Sequence, residues 1–407
     1  MARFGKPSMP DFSHIVLGAI LLVRPLSLWE PFADRVFILI GLLIALSMRL
    51  LAAGQAGRPF RLPPAGLFLG AVAIAAAAFV FLRGPGVSRN GIEETADLVS
   101  AAVLFLLAYD AGSDPARARR LIAVAVAALA ISSFYGLLQI ISLERLRETV
   151  PGLLSEGKLI PGLEGIESDQ HKELLDRLFT RRIFGTFILP NLFGGFLAAL
   201  LPVAAGLLID NLRRSRRDPN QPGRPLWLVP AAAVAVAVPA FFLARSYGAW
   251  LALAAAAAAF GAMALRRIAP DHPAARAAPW ALAVLLAAGV VAFGLLVSKP
   301  APRDDESSFA QRVHYWKAGL KSFAEAPVAG HGLGRFGEEY MRFRPPEADE
   351  TQRAHSAYVE WAVEGGVVLL ALFLAWFIAI GRLAVRGTAD AAPAEAPPRA
   401  SGSALPE

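Results

Sequence analysis

The chain has no cysteine among its 407 residues. Disulfides, thiol nucleophiles and Cys-based zinc sites are therefore excluded, and the absence says nothing about compartment. Charge is also scarce: Asp, Glu, Lys and Arg make up 18% of the residues, below the roughly 25% of soluble domains. No short internal repeat is evident. The chain has apolar length instead, with repeated runs near 20 residues and a mean hydropathy of +0.49. That pattern describes an all-α, polytopic integral membrane protein. The first run is not a secretory signal, because Arg24 and Pro25 interrupt it, it lacks a small-residue cleavage site, and further spans follow.

Ten apolar spans are predicted, at about 13–30, 34–53, 64–83, 94–110, 119–142, 183–210, 226–244, 246–266, 278–298 and 359–383. Each is long enough, or nearly so, to cross a bilayer at about 1.5 Å per residue. Alternate connections are short and basic, carrying Arg49/Arg58/Arg61, Arg117/Arg119/Arg120, Arg213/Arg214/Arg216/Arg217/Arg224 and Arg266/Arg267/Arg276. Arg3 and Lys6 at one end, and Arg382 and Arg386 at the other, fall in the same set. By the positive-inside rule these segments and both termini face the cytoplasm. The net charge of +7 is thus a topology signal rather than a nucleic-acid signal. Residues 1–386 form the membrane domain, with two long outer loops at about 143–182 and 299–358. The Ala-, Pro-, Glu- and Ser-rich stretch 387–407 reads as a disordered cytoplasmic tail.

The outer loops carry the polar chemistry. "ESSFAQRVHYWKAGLKSFAEAP" spaces Phe309, Val313, Trp316, Leu320 and Phe323 along one helical face, with Arg312, Lys317 and Lys321 elsewhere around it. Such a helix suits either the membrane interface or a packing site on its own protein. "DQHKELLDRLF" in the other loop is a second short helix candidate. "AGHGLGRFG" reads as a tight turn through Gly330, Gly332 and Gly334, with no strand-then-helix context for a dinucleotide site.

"RAHSAYVEWAVEGG" (353–366) places His355 just ahead of the last span. Its imidazole is either a proton acceptor at neutral pH or an interfacial ring bonded to loop backbone. Glu360 and Glu364 follow one and two turns into the helix on the same side, and an ionisable group at Glu364's depth is expensive and usually functional. "FFLARSYGAW" puts Arg245 between two spans, where its guanidinium either grips a phosphate or diphosphate or makes a structural ion pair. Arg312 and Arg353 add positive charge on that side. Arginines that hold a diphosphate leaving group, with a histidine that takes a hydroxyl proton, describe glycosyl transfer from a polyprenyl-diphosphate sugar. No cofactor or metal is expected, because the outer turns show no carboxylate cluster for a divalent ion.

At these residues the chain resembles the O-antigen ligase family of bacterial membrane glycosyltransferases, which includes O-antigen polymerases and protein O-oligosaccharyltransferases. The resemblance covers roughly the C-terminal 230 residues. "FGTFILPNLFGGFLAALLP", ending its motif at Asn191, looks like the family's Gly-Thr-Phe…Asn segment. "ARSYGAW" looks like its Ser-Arg-Gly-type turn, and "YWKAGLKSFAEAPVAGHGLGRF" like its Trp…Pro…Gly loop. His355, Ser356, nine residues and then Gly366 look like its histidine motif, although Leu369 stands where Gly, Thr or Tyr is usual. One span follows the loop, where the family commonly has about two more.

The resemblance implies a GT-C-like fold in the bacterial inner membrane with a periplasmic site. It implies metal-independent, inverting transfer of a glycan from undecaprenyl diphosphate to a hydroxyl on lipid A–core, a second glycan or a protein. Arg245, Arg312 and His355 then take the catalytic positions, while Asn191, Arg353, Tyr358, Glu360 and Glu364 bind or position substrate. The alternatives are a polymerase of the same family, a transporter or flippase for lipid-linked sugar or a small anion, and a non-catalytic scaffold.

Overall fold

A computed structural model describes residues 13–23, 31–56, 60, 62–82, 89–155, 182–187, 189–217, 227–268, 272–273, 276–277, 281, 284, 288, 291–292, 295, 308–346 and 348–390. Among these the regular structure is helical, with no strand. The helices are α1 (Ser13–Val23), α2 (Pro31–Ala56), α3 (Pro64–Leu82), α4 (Arg89–Gly112), α5 (Pro115–Ser155), α6 (Pro190–Arg217), α7 (Leu228–Leu243), α8 (Tyr247–Ile268), α9 (Ser308–Glu325), α10 (Phe336–Phe343) and α11 (Ala357–Asp390).

Among the described residues, five segments are long and apolar enough to cross a membrane: Ile38–Gln55, Pro115–Ser142, Pro190–Arg216, Tyr247–Leu265 and Ala357–Leu383. Ala65–Ala75 and Leu228–Leu243 are shorter apolar helices. The described residues are therefore those of an all-helical membrane protein, and within them five of the ten predicted spans meet the length and apolarity a crossing needs. The span predicted at 13–30 is described as helix only over Ser13–Val23, and most of the span at 278–298 lies outside the described residues. Three boundaries differ notably from expectation. Helix α11 runs on to Asp390, so residues 387–390, read as the start of a disordered tail, are helical. The α5 helix continues to Ser155, into what reads as outer loop, and residues 182–187 precede α6 as irregular chain rather than opening a span at 183. The helix candidate "DQHKELLDRLF" and residues 391–407 lie outside the described residues.

The chain divides into two compact units. The first comprises Met1–Pro59 and Asp110–Phe293. In it α1 packs on α2 and α5, α7 packs on α5 and α6, and α8 packs on α6. Phe193, Leu197, Leu201 and Ala204 recur at helical spacing along α6 and meet Ala233, Ala237 and Ala240 of α7, all buried. Alanine on that face lets the two helices approach closely, the usual device where lipid supplies no hydrophobic drive for association.

Arg49 of α2, one of the arginines read as a topology charge, is buried in this unit. Its guanidinium forks onto both carboxylate oxygens of the equally buried Asp110. Removing one partner of such a pair leaves the other charge without compensation. Arg49→Ala is accordingly expected to cost about 3–5 kcal/mol, read as a lowered Tm in detergent. The Arg49→Met/Asp110→Leu double variant is expected to recover most of that loss.

The second unit comprises Phe60–Tyr109 and Gly294–Glu407. Here α3 packs along α11, and α9 and α10 pack on the start of α11. Tyr315 and Ala318 of α9, Phe336 and Tyr340 of α10, and Val359 and Val363 of α11 form its polar-end core. The amphipathic α9 is therefore packed on its own protein, through Val313, Tyr315 and Ala318, with Trp316 and Phe323 at the edge. Leu320, expected on the same face, is 37% exposed.

Helix α11 is broken at Gly366, whose φ of 62° and ψ of −162° are not helical. A helix normally bonds the N–H of Val367 to the carbonyl of Val363 and that of Val368 to Glu364. Instead Val367 and Val368 donate to the carbonyls of Pro327 and Val328 in the glycine loop. The vacated carbonyls of Val363 and Glu364 accept from the loop's His331 and Gly332 N–H groups. These four backbone groups are thus re-paired by one short loop, as buried backbone requires. Gly330 (φ 61°), Gly332 (φ 110°) and Gly334 (φ 70°) supply the left-handed turns that thread the loop into the break.

Candidate active site

In the first unit the site begins with Gln139 of α5. Its side-chain amide donates to the Gly185 carbonyl at 2.7 Å and accepts from the N–H groups of Phe184 and Gly185. Gly185 takes φ 56°, and a Cβ there would lie 2.6 Å from the Phe193 ring. Thr186 donates to the Ser132 hydroxyl at 3.1 Å. The Gly-Thr pair is thus a locked turn, and three residues ahead of it stands Arg182. The Arg182 guanidinium donates to the Ala244 carbonyl at 3.0 Å and to the Asn191 side-chain oxygen at 2.7 Å. Gln139→Leu strips three backbone groups of their partners; with about 1–3 kcal/mol for each one left buried and unpaired, it is expected to lower Tm in detergent.

One residue beyond Ala244 stands Arg245, at φ 47° in the tight turn between α7 and α8. Its side chain is exposed and makes no ion pair among the described residues. Gly194 of α6 gives the close approach to this turn, since a Cβ on it would lie 2.6 Å from that of Ser246. Phe242 and Tyr247, both largely exposed, flank Arg245 with Trp250. Aromatic rings with a guanidinium among them suit the headgroup level of a membrane. Arg182 was not singled out in the sequence. Its signal was its place three residues ahead of the Gly-Thr motif, at the end of a long loop.

In the second unit the chain before α11 is fixed by many small bonds. Trp316 donates to the Ala354 carbonyl at 3.0 Å, the Thr351 hydroxyl bonds the Arg353 backbone in both directions, and Tyr340 donates to the Asp349 carbonyl. These hold His355 at φ 51°, a conformation that costs a non-glycine residue about 1–3 kcal/mol and persists only when its surroundings over-determine it. The imidazole lies against Tyr315, with ring centroids 5.9 Å apart. Burial against that ring, and then the positive charges of Arg312 and Arg353, hold its pKa below the ordinary 6.5. At neutral pH the ring is uncharged and able to accept a proton.

Arg353 is engaged rather than presented. Its guanidinium pairs with Glu94 of α4 and, at 2.8 Å, with Glu360 of α11. Glu364 is 1% exposed and accepts the Phe336 N–H at 3.1 Å, at the first turn of α10. Glu360 and Glu364 do share a helix face, as their spacing predicts, and Glu94 joins them. One oxygen from each of the three lies within 4.8 Å of the others. The absence of a carboxylate cluster, inferred from the outer turns, is corrected here: the fold assembles one from residues some 270 positions apart, with Arg353 as counter-charge. Tyr358 is exposed and packs edge-on against Phe373. Asn191 serves by holding Arg182.

The predicted site residues therefore divide between the units. Arg245 and Asn191 belong to the first, and Arg312, Arg353, His355, Tyr358, Glu360 and Glu364 to the second. Among the described residues, Arg245 and His355 are the two non-glycine positions with left-handed backbone.

Residues 231–374 match the family model described as O-antigen ligase. The match runs from α7 through the break in α11 and includes Arg245, Arg312, His355 and the glycine loop, and it bears out the resemblance over that segment. No curated protein and no solved structure matches the chain.

Proposed function

With the O-antigen ligase match over α7–α11 as premise, we propose that this membrane protein transfers a glycan from undecaprenyl diphosphate to an acceptor hydroxyl at the periplasmic face. Arg182 and Arg245 hold the diphosphate, and Arg312 adds charge near His355. The acceptor oxygen attacks the anomeric carbon, its proton passes to the His355 imidazole, and the C–O bond to the diphosphate breaks with its electron pair leaving on the lipid. Attack opposite the leaving group inverts the anomeric configuration. Charge developing on the diphosphate oxygens is what the arginines stabilise. These steps use side chains of this chain alone, and the reading applies to ligase and polymerase alike, which differ in acceptor.

The observation that carries the proposal is the coincidence of strain with chemistry. Among the described residues, the two non-glycine positions held in left-handed backbone are the arginine and the histidine whose residue types suit leaving-group binding and proton transfer. Such strain concentrates at functional sites.

Transport has one observation in its favour, the broken helix α11, since discontinuous helices build midplane substrate sites. That break is filled by the protein's own glycine loop, which leaves no backbone dipoles for a passing ion and favours transfer.

The test is release of lipid diphosphate from an undecaprenyl-diphosphate oligosaccharide by purified protein. Lipid A–core, a second lipid-linked glycan and a serine-containing peptide serve as acceptors. Release that needs one acceptor and is lost in Arg245→Ala establishes the reaction and its subclass. No release by folded protein with any acceptor, or release unchanged in Arg245→Ala and Arg182→Ala, overturns it.

A further inference from the structure

A second cluster of ligating side chains lies away from His355, where α9, the glycine loop and α10 meet. His331 sits at the middle of the loop, Glu325 is the last residue of α9, and Glu339 lies in the first turns of α10. One ligand atom from each falls within 4.8 Å of the others.

The ring of His331 has its tautomer decided by its neighbours. Nε2 lies 2.9 Å from the Ser322 carbonyl oxygen. A carbonyl only accepts, so Nε2 carries the hydrogen, and in the neutral ring Nδ1 presents a lone pair. That lone pair faces Glu339 Oε1 at 3.5 Å, and each of the two side chains is 13% exposed. Two acceptors turned toward each other with little water call for an electrophile between them. The separation exceeds the usual N–H···O range of about 2.7–3.2 Å. It is close to the edge of a tetrahedron of ligands around zinc, about 3.3–3.4 Å for bonds near 2.0–2.1 Å.

Arg342 completes the arrangement. It bonds Oε2 of Glu339 and, at 2.8 Å, Oε2 of Glu325. Each carboxylate is therefore oriented by one oxygen while the other is left for a ligand, the usual division between a metal's ligands and the groups that orient them.

We propose that Glu325, His331 and Glu339 bind a first-row divalent cation, with zinc the best fit to one imidazole and two carboxylates and with water in the fourth position. The cation ties the end of α9 and the start of α10 to the loop whose His331 and Gly332 N–H groups fill the break in α11. Its role is structural, and it stands apart from the proton transfer assigned to His355.

The experiment uses the full chain in detergent, treated with a chelator and dialysed. Zinc chloride is titrated calorimetrically at neutral pH, with magnesium and calcium chlorides in parallel, and Tm is followed in the same samples. The expected result is one tight zinc equivalent per chain and a higher Tm with zinc, with magnesium and calcium at least tenfold weaker. His331→Gln is expected to lose the equivalent. Glu325→Gln, at an exposed helix end, is expected to fold normally and bind zinc at least tenfold more weakly, and it decides the matter if His331→Gln does not fold. No zinc uptake by the wild type, the mark of a proton between His331 and Glu339, overturns the proposal. So does uptake unchanged in the variants, which places zinc on another of the six histidines.

Discussion

His355→Ala is expected to lower kcat for glycan transfer by roughly 10²- to 10⁴-fold, the range lost with a positioned general base, while Tm stays close to wild type. Alanine relieves a ring at the surface and deepens no cavity, so the loss reads as chemistry. The pH profile separates proton transfer from mere packing. Because burial, Arg312 and Arg353 depress the His355 pKa, the active neutral form persists below pH 6.5, and kcat/KM is expected to fall only on the acid side of that value. Arg312→Gln removes one of the depressing charges. The acid limb should then move upward toward the ordinary value, and a variant whose limb stays in place or moves down removes His355 as the titrating base. A purely structural role for Arg312 would alter rate or stability without shifting that limb.

Gly366→Ala is expected to be the most damaging single-methyl change in the second unit, costing about 3 kcal/mol or more. Its φ and ψ fall in a region essentially reserved for glycine, worth about 1–3 kcal/mol of strain to any other residue. The added Cβ also collides with the Val328 carbonyl and the Ala329 nitrogen, and forced overpacking costs about 1–3 kcal/mol more. Gly330→Ala meets the same two penalties, since its Cβ collides with the backbone of Glu364 and Gly365. These two changes act on one contact from opposite sides. Their double variant should therefore cost less than the sum of the singles, measured as Tm in detergent. Strict additivity would mean that loop and helix are not joined as the backbone bonds indicate. Gly365 is a milder case: there the collision is with the side chain of Leu369. That leucine, which replaces the small or hydroxylated residue usual at its position, is fully buried against Val72 and Leu333.

Much of this was legible in the sequence, and the rest was hidden for physical reasons. Gly330, Gly332 and Gly334 announced a turn because only glycine takes those conformations cheaply. The fixed interval from His355 to Gly366 was visible as a motif, and its cause is now plain: the interval runs from the strained residue ahead of the helix to the break that admits the loop. The helical spacing of Glu360 and Glu364 placed them on one face. Glu94 could not be joined to them, since it precedes Arg353 by 259 residues and periodicity carries no information across such a distance. Gln139 looked like any polar residue at the end of a span. Its function lies in three backbone contacts that leave no trace in residue type. Arg49 was misleading for a related reason, as a buried bidentate arginine and a cytoplasmic loop arginine are the same letter.

The reciprocal pairing between the 327–332 loop and the 363–368 stretch has a consequence for biogenesis. The loop is synthesised first, yet the carbonyls of Pro327 and Val328 and the N–H groups of His331 and Gly332 do not meet these partners until the later stretch has left the ribosome. The glycine loop therefore stays unfinished while α11 is being made. That helix, in turn, completes its own backbone only by receiving a segment of chain made before it. Its insertion and the closing of the loop are one event, so a chain halted before Val368 should be handled by the cell as unfinished even with every preceding helix in place.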